Sequence, residues 1–261
     1  MKRTLASLIL CFFAFCGTSF LHAQSFSYDT YWKKVEKAEK QSLPQTVVKL
    51  ADEIFRKAQA EKNSPQMLKA YTWRTSYQEI LMPDSFYVHL LGWEHWANTA
   101  PNPLDRAVLH SLVAEIYADY AGNNLWKLSR STAINDKSFT DIREWDSDTF
   151  VQKVLEHTRA ALKDSLLLLN TSAKTYIPFT KTGETSDYYN HDMYHLLALR
   201  GTKALKRIVS LSGKDSLITT EVSVIFHHTI DTYRRKNNPD AVLLATLDSL
   251  AWNGKNDVSE S

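Results

Sequence analysis

From Tyr28 to Trp252 apolar residues recur every three to four positions, the period of helices that each bury one face. Leu109, Leu112, Val113, Ile116, Tyr117 and Tyr120 step along one such face, with Asn102-Pro103 ahead as a start signal and Gly122 behind as a stop. Phe150, Val151, Val154, Leu155, Thr158, Ala161, Leu162, Ser165, Leu166 and Leu169 keep the same period from Asp146. They predict a single helix of about five turns ending at Asn170. Three helices are predicted before these, over Tyr28 to Gln41, Pro44 to Glu61 and Pro65 to Leu81, followed by an aromatic helix from Asp84 to Asn98. Ser42-Leu43-Pro44, Ser64-Pro65 and Asn238-Pro239 repeat the start signal, a side-chain oxygen ahead of a ring pre-set for the first helical turn.

Helices are predicted again over Tyr188 to Ser210 and Asp240 to Trp252. Between Ile218 and Phe226 alternation suits a strand, but the spacing Ile218, Val222, Ile225, Phe226, Thr229 and Tyr233 suits a helix, and length favours the helix. A lone strand would find no pairing edge in such a chain. Ser129 to Trp145 and Thr171 to Asp187 read as long irregular loops rich in Ser, Thr, Lys and Asp. Very short links between the early helices force antiparallel neighbours. The expected fold is therefore all-α, antiparallel helical hairpins stacked in a tetratricopeptide-like array over residues 24–261, with a possible sub-boundary in the 129–145 loop.

The pattern ahead of Tyr28 is of another kind. Lys2 and Arg3, an apolar run from Leu5 to Phe15, and Leu21-His22-Ala23 make a secretory signal peptide over residues 1–23, cleaved after Ala23. Gly17, Thr18, Ser19 and His22 interrupt the run before it is long enough to span a membrane. The expected destination is the periplasm or the exterior. Both cysteines, Cys11 and Cys16, fall inside the leader, so the mature chain has no thiol chemistry. Phe15, where a small residue is required, argues against lipid attachment at Cys16. The formal charge of +2 resides in Lys2 and Arg3, which leaves a near-neutral mature chain and no electrostatic case for nucleic acid.

Candidate chemistry is sparse. His191-Asp192-Met193-Tyr194-His195 places two histidines four apart, a spacing that on a helix lets both face one metal ion, with His227 or His228 as third-ligand candidates. Asp192 stands where zinc proteases carry Glu, which sets a general base about one methylene short. The plainer expectation puts this string at a helix start, with Asp192 complementing the dipole. No Gly-x-Ser-x-Gly elbow occurs, and Leu211-Ser212-Gly213-Lys214-Asp215 lacks the upstream glycine of a phosphate loop. Trp93 and Trp96 suggest a carbohydrate platform, with helical packing as the alternative. Asp52-Glu53 and Asp146 with Asp148 read as solvated carboxylates. No residue is assigned to catalysis, a cofactor or a metal; a zinc-dependent hydrolase using His191 and His195, or a carbohydrate-binding protein, stand as the alternatives.

Several strings together resemble the amino-terminal helical region of large bacterial alpha-2-macroglobulin-like proteins. They are Tyr31-Trp32-Lys33-Lys34-Val35-Glu36-Lys37-Ala38, Leu43-Pro44-Gln45-Thr46 leading into Ala51-Asp52-Glu53-Ile54-Phe55-Arg56-Lys57-Ala58, and Phe139-Thr140-Asp141-Ile142-Arg143-Glu144-Trp145. Tyr188 to Arg200, Ala204-Leu205 and Asp240 to Leu247 extend the likeness over most of the mature chain. The resemblance implies an exported, non-catalytic interaction module. Its partners would be another protein or the macroglobulin domains that follow in such proteins, and its link to peptidase inhibition indirect. A thioester trap is excluded, because the mature chain has no cysteine.

Overall fold

The computed structural model describes residues 26–128, 141–181, 183–212 and 217–257. The expected leader with Cys11, Cys16 and Ala23, most of the 129–145 loop including Phe139 and Thr140, and Gly213-Lys214-Asp215 lie outside the described residues. Within them the chain is helical, as the periodicity predicts: α1 Tyr28–Lys40, α2 Pro44–Ala60, α3 Ser64–Leu81, α4 Phe86–Thr99, α5 Pro103–Asn123 and the short α6 Leu125–Leu128. Then follow α7 Ser147–Leu162, α8 Ser165–Leu169, α9 Met193–Arg207, α10 Leu217–Arg235 and α11 Pro239–Asp257. The ambiguous segment is the helix α10, and the sole β feature among the described residues is one antiparallel bridge between Ser172 and Asp192.

Three links share one design. Ser42, Lys62 and Asn237 each adopt a left-handed backbone, φ 54–55°, just past α1, α2 and α10. The following amide then reaches back to the helix: Leu43 to the Ala38 carbonyl, Asn63 to Ala58 and Asn238 to Tyr233, at 2.8–3.0 Å. Such turns satisfy the last carbonyls and reverse the chain within three residues. The predicted caps hold at Asn102 and Asn238, whose side chains accept from Leu104 and Ala241. They fail at Ser42, which makes the turn instead, and at Ser64, where Asn63 is the cap and Ser64 the first helical residue.

Boundaries in two regions of the larger core differ from the periodic reading, besides the late start of α9. The helix predicted from Asp146 to Asn170 breaks at Lys163-Asp164, so Leu168 is buried while Leu166 points outward. Gly122 does not stop α5, which runs on to Asn123; the glycine instead sits where a Cβ would meet the Arg207 side chain at 2.7 Å.

Burial divides the interior into two clusters. Trp32, Val35, Ala38, Val47, Ile54 and Ala70 close α1, α2 and α3 on one another. Everything from α4 to α11, with Leu68 of α3, joins the larger core. There α5 packs on α4 and α7, α9 crosses both α5 and α7, α10 lies on α9, and α11 on α10. The α3 to α4 contact is slight by comparison, so the two clusters meet along a loosely closed seam. No helix among the described residues is long and apolar enough to cross a membrane.

Candidate functional site

The histidine string lies at the start of α9, but the helix begins at Met193, five residues later than Tyr188. His191 and the preceding Asn190 both take left-handed backbones, φ 52° and 54°. The four-residue helical spacing on which a metal pair depends is therefore broken: His191 is a turn residue and only His195 projects from the helix. His191 pairs through Nε2 with Asp187 at 2.5 Å. The third-ligand candidates do not converge either, since His228 Nδ1 meets the Tyr194 hydroxyl at 2.6 Å and His227 bonds the Ser223 carbonyl on the exposed side of α10. Among the described residues, no group of three or more His, Cys, Asp or Glu is placed to hold a metal ion.

Asp192 is the N-cap of α9. Its carboxylate accepts from the His195 amide at 2.8 Å and from the Tyr233 hydroxyl at 2.7 and 2.9 Å, while its own backbone bridges to Ser172. Met193 N–H to the Thr171 carbonyl, and Ala173 N–H to the His191 carbonyl, complete that tie at 2.8 and 2.6 Å. The 171–192 loop is thus clamped to the helix start. Burial pushes the Asp192 carboxyl up, against the pull of its amide and tyrosine donors. The same burial, with Asp192 beside it, pushes the Tyr233 hydroxyl up and keeps it a donor. A carboxylate whose oxygens are engaged in this way is a structural cap and not a free base.

His195 is the group here with chemical freedom. Its ring stacks flat on Tyr189 at 3.5 Å, burial pushes its pKa down to about 4, and it has no side-chain hydrogen bond to another described residue. It lines a cavity of about 120 Å3 under the 171–192 loop, walled by Lys174, Thr180, Lys181 and Leu199. His195 and Leu199 also edge a smaller hollow against α10 and α11. A neutral imidazole in a largely apolar groove can donate or accept one hydrogen bond to a guest, but at pKa about 4 it is a weak proton acceptor.

Trp93, Trp96, Asp52 and Asp146 are engaged in packing, ion pairs and a cap. Trp93 and Trp96 do stack, 5.8 Å apart, but Trp93 is only 4% exposed and packs edge-on against Tyr71, so no paired face is open to a sugar. Asp52 pairs with Arg56 and Arg74, and Asp146 caps α7 through the Thr149 amide.

A half-buried polar network joins residues that form no sequence motif. Glu94 of α4 accepts from Lys153 at 2.6 Å and from the Tyr117 hydroxyl at 2.9 Å, and lies 3.3 Å from His157 Nε2. His157 Nδ1 in turn meets His110 Nδ1 at 2.9 Å. The His157, Lys153 and Tyr117 donors hold the Glu94 carboxyl down at about 2, and burial beside His157 holds His110 down at about 4. The network ties α4, α5 and α7 together; its members are spread over 63 positions and form no local motif.

Comparison with protein-family models, with curated proteins and with solved structures finds no match.

Proposed function

We propose that this chain is an exported, non-catalytic helical interaction module, related to the amino-terminal region of bacterial alpha-2-macroglobulin-like proteins and stacked in the tetratricopeptide manner. The packing order supports the stacking: α9 lies on both α5 and α7, and α10 and α11 each add to the helix before. The chemistry at α9 supports a binding role, since Asp192 is consumed as a cap and His195 is a neutral ring in a groove.

The observation that carries this reading is the outer face of α11. Ala241, Ala245 and Trp252 turn into the core, while Leu243, Leu247 and Leu250 are each more than half exposed along the opposite stripe. Three leucines at four- and three-residue spacing on one helix form a surface that water disfavours and a second helix or sheet can cover. The partner assigned to it is a macroglobulin-type β-domain, encoded in frame or by a neighbouring gene, and any effect on peptidases is exerted through that partner. The test is to produce such a domain separately and titrate it with the full chain. Micromolar or tighter binding, lost in Leu247→Asp, supports the proposal, and binding indifferent to that substitution counts against it.

A further inference from the structure

The seam between the two hydrophobic clusters is not closed. Where α3 leans away from α4 and α5, a cavity of about 160 Å3 remains, walled by Thr75, Phe86, Leu90, Trp93 and Ile116, with Glu79 among its lining residues. Its position follows from the packing, because α3 packs far more closely on α2 than on α4.

Glu79 is out of place there. Several half-buried carboxylates of this chain pair with lysine or arginine, as Asp52, Glu94, Glu115 and Glu221 do. Glu79 has no ion pair among the described residues, and burial alone raises its pKa. Of the hydroxyls lining the cavity, those of Thr72 and Thr75 are spent on their own helix carbonyls. An unpaired, partly buried carboxylate is costly unless a cation arrives. The walls suit the same guest, because Phe86 and Trp93 supply aromatic surface, which is kind to a cation, while Leu90 and Ile116 accept methylenes. At about 30 Å3 for each water-sized group, the space takes about five heavy atoms.

We infer that this cavity binds a primary alkylammonium group about the length of a lysine side chain, with Glu79 as its counter-ion. The site lies on α3, α4 and α5, so it stands or falls separately from the proposed role of α11. The shared chemistry covers both a protein's lysine and a free amine.

The full chain, uniformly labelled, is titrated with N-acetyl-lysine amide, with pentylamine, and with the neutral N-acetyl-norleucine amide, followed by 1H–15N spectra. Saturable shifts with the charged probes, centred on α3 to α5 and absent with norleucine amide, are expected. Binding of both charged probes assigns the site to a side chain, and binding of pentylamine alone assigns it to a free amine. Glu79→Gln, which keeps the shape, is expected to weaken either interaction by about tenfold, the loss that follows deletion of a charged hydrogen-bond partner. Equal shifts with norleucine amide, no shifts with any probe, or undiminished affinity in Glu79→Gln each overturn the assignment. Should Glu79→Gln fail to fold, the comparison of charged and neutral probes on the unsubstituted chain still decides it.

Discussion

Gly201 marks the closest approach of α9 to α7. A Cβ added there would stand 2.8 Å from the Thr158 Cγ2 methyl, about 1 Å inside ordinary carbon contact. Thr158 has little room to step aside: it is 1% exposed, and a β-branched threonine in a helix is confined to two χ1 rotamers. Gly201→Ala therefore sets two effects against each other. Helix propensity favours alanine by about 1 kcal/mol, while overpacking costs about 1–3 kcal/mol. The net expectation is destabilisation by about 1 kcal/mol, or a melting point lower by about 2–4 °C for a chain of this size. Removing the methyl changes the sign. In a Thr158→Ala background the nearest remaining Thr158 atom is the Cβ, at 3.9 Å, and the same Gly201→Ala change should stabilise by about 1 kcal/mol. Thr158 Oγ1 is buried without a partner, so its deletion breaks no hydrogen bond. Urea denaturation of the four proteins measures the coupling directly, expected at about 2 kcal/mol. An identical effect of Gly201→Ala in both backgrounds would refute the close-approach reasoning.

Acid should destabilise the fold in two stages, read from melting temperature against pH. Folded His110 and His195 stay neutral down to about pH 4, whereas unfolded imidazoles take a proton near 6.5. Between those values the unfolded state binds more protons, so stability falls as pH drops, by about 1–2 kcal/mol for each ring after screening. Glu94, depressed to about 2, adds a loss below about pH 4.5, while Asp192, raised by burial, works in the reverse sense. A melting temperature that rises from pH 7 to pH 5 would contradict the burial of both histidines. Asp192→Ala removes the α9 cap and strands the Tyr233 hydroxyl, for a combined loss of about 2–4 kcal/mol in chemical denaturation; a loss under 0.5 kcal/mol would show the clamp to be idle.

Helix identity was legible in the chain because apolar residues recur at three- and four-residue spacing through most elements, with start signals that hold at Asn102, Asp146 and Asn238. The Ile218–Tyr233 segment illustrates it: alternation misleads over nine residues, while the three-four spacing runs the full length of α10. Boundaries were less legible where tertiary packing overrides local pattern. The periodic run through Leu166 and Leu169 continues past Lys163-Asp164, yet the chain breaks there, as nothing in the spacing of apolar residues records the turn. The histidine string shows the same limit in a functional setting. Asp192 as a cap follows from ordinary helix-start chemistry, but the left-handed turn at Asn190 and His191, which parts the two histidines, sits beside a bridge to the distant Ser172 that no local pattern announces. The Glu94, His157, His110 network and the Glu79 cavity arise from contacts between helices distant in the chain and have no linear signature.

Leu247→Asp should alter stability by no more than about 0.5 kcal/mol, because the side chain is already exposed and the core-facing side of α11 is untouched. That separation makes hydrogen exchange on the chain, alone and with a macroglobulin-type β-domain present, the most direct measurement. Slowed exchange confined to residues 239–257, abolished by Leu247→Asp at unchanged melting temperature, is the predicted result. Protection elsewhere with α11 exchanging as in the free chain would contradict it.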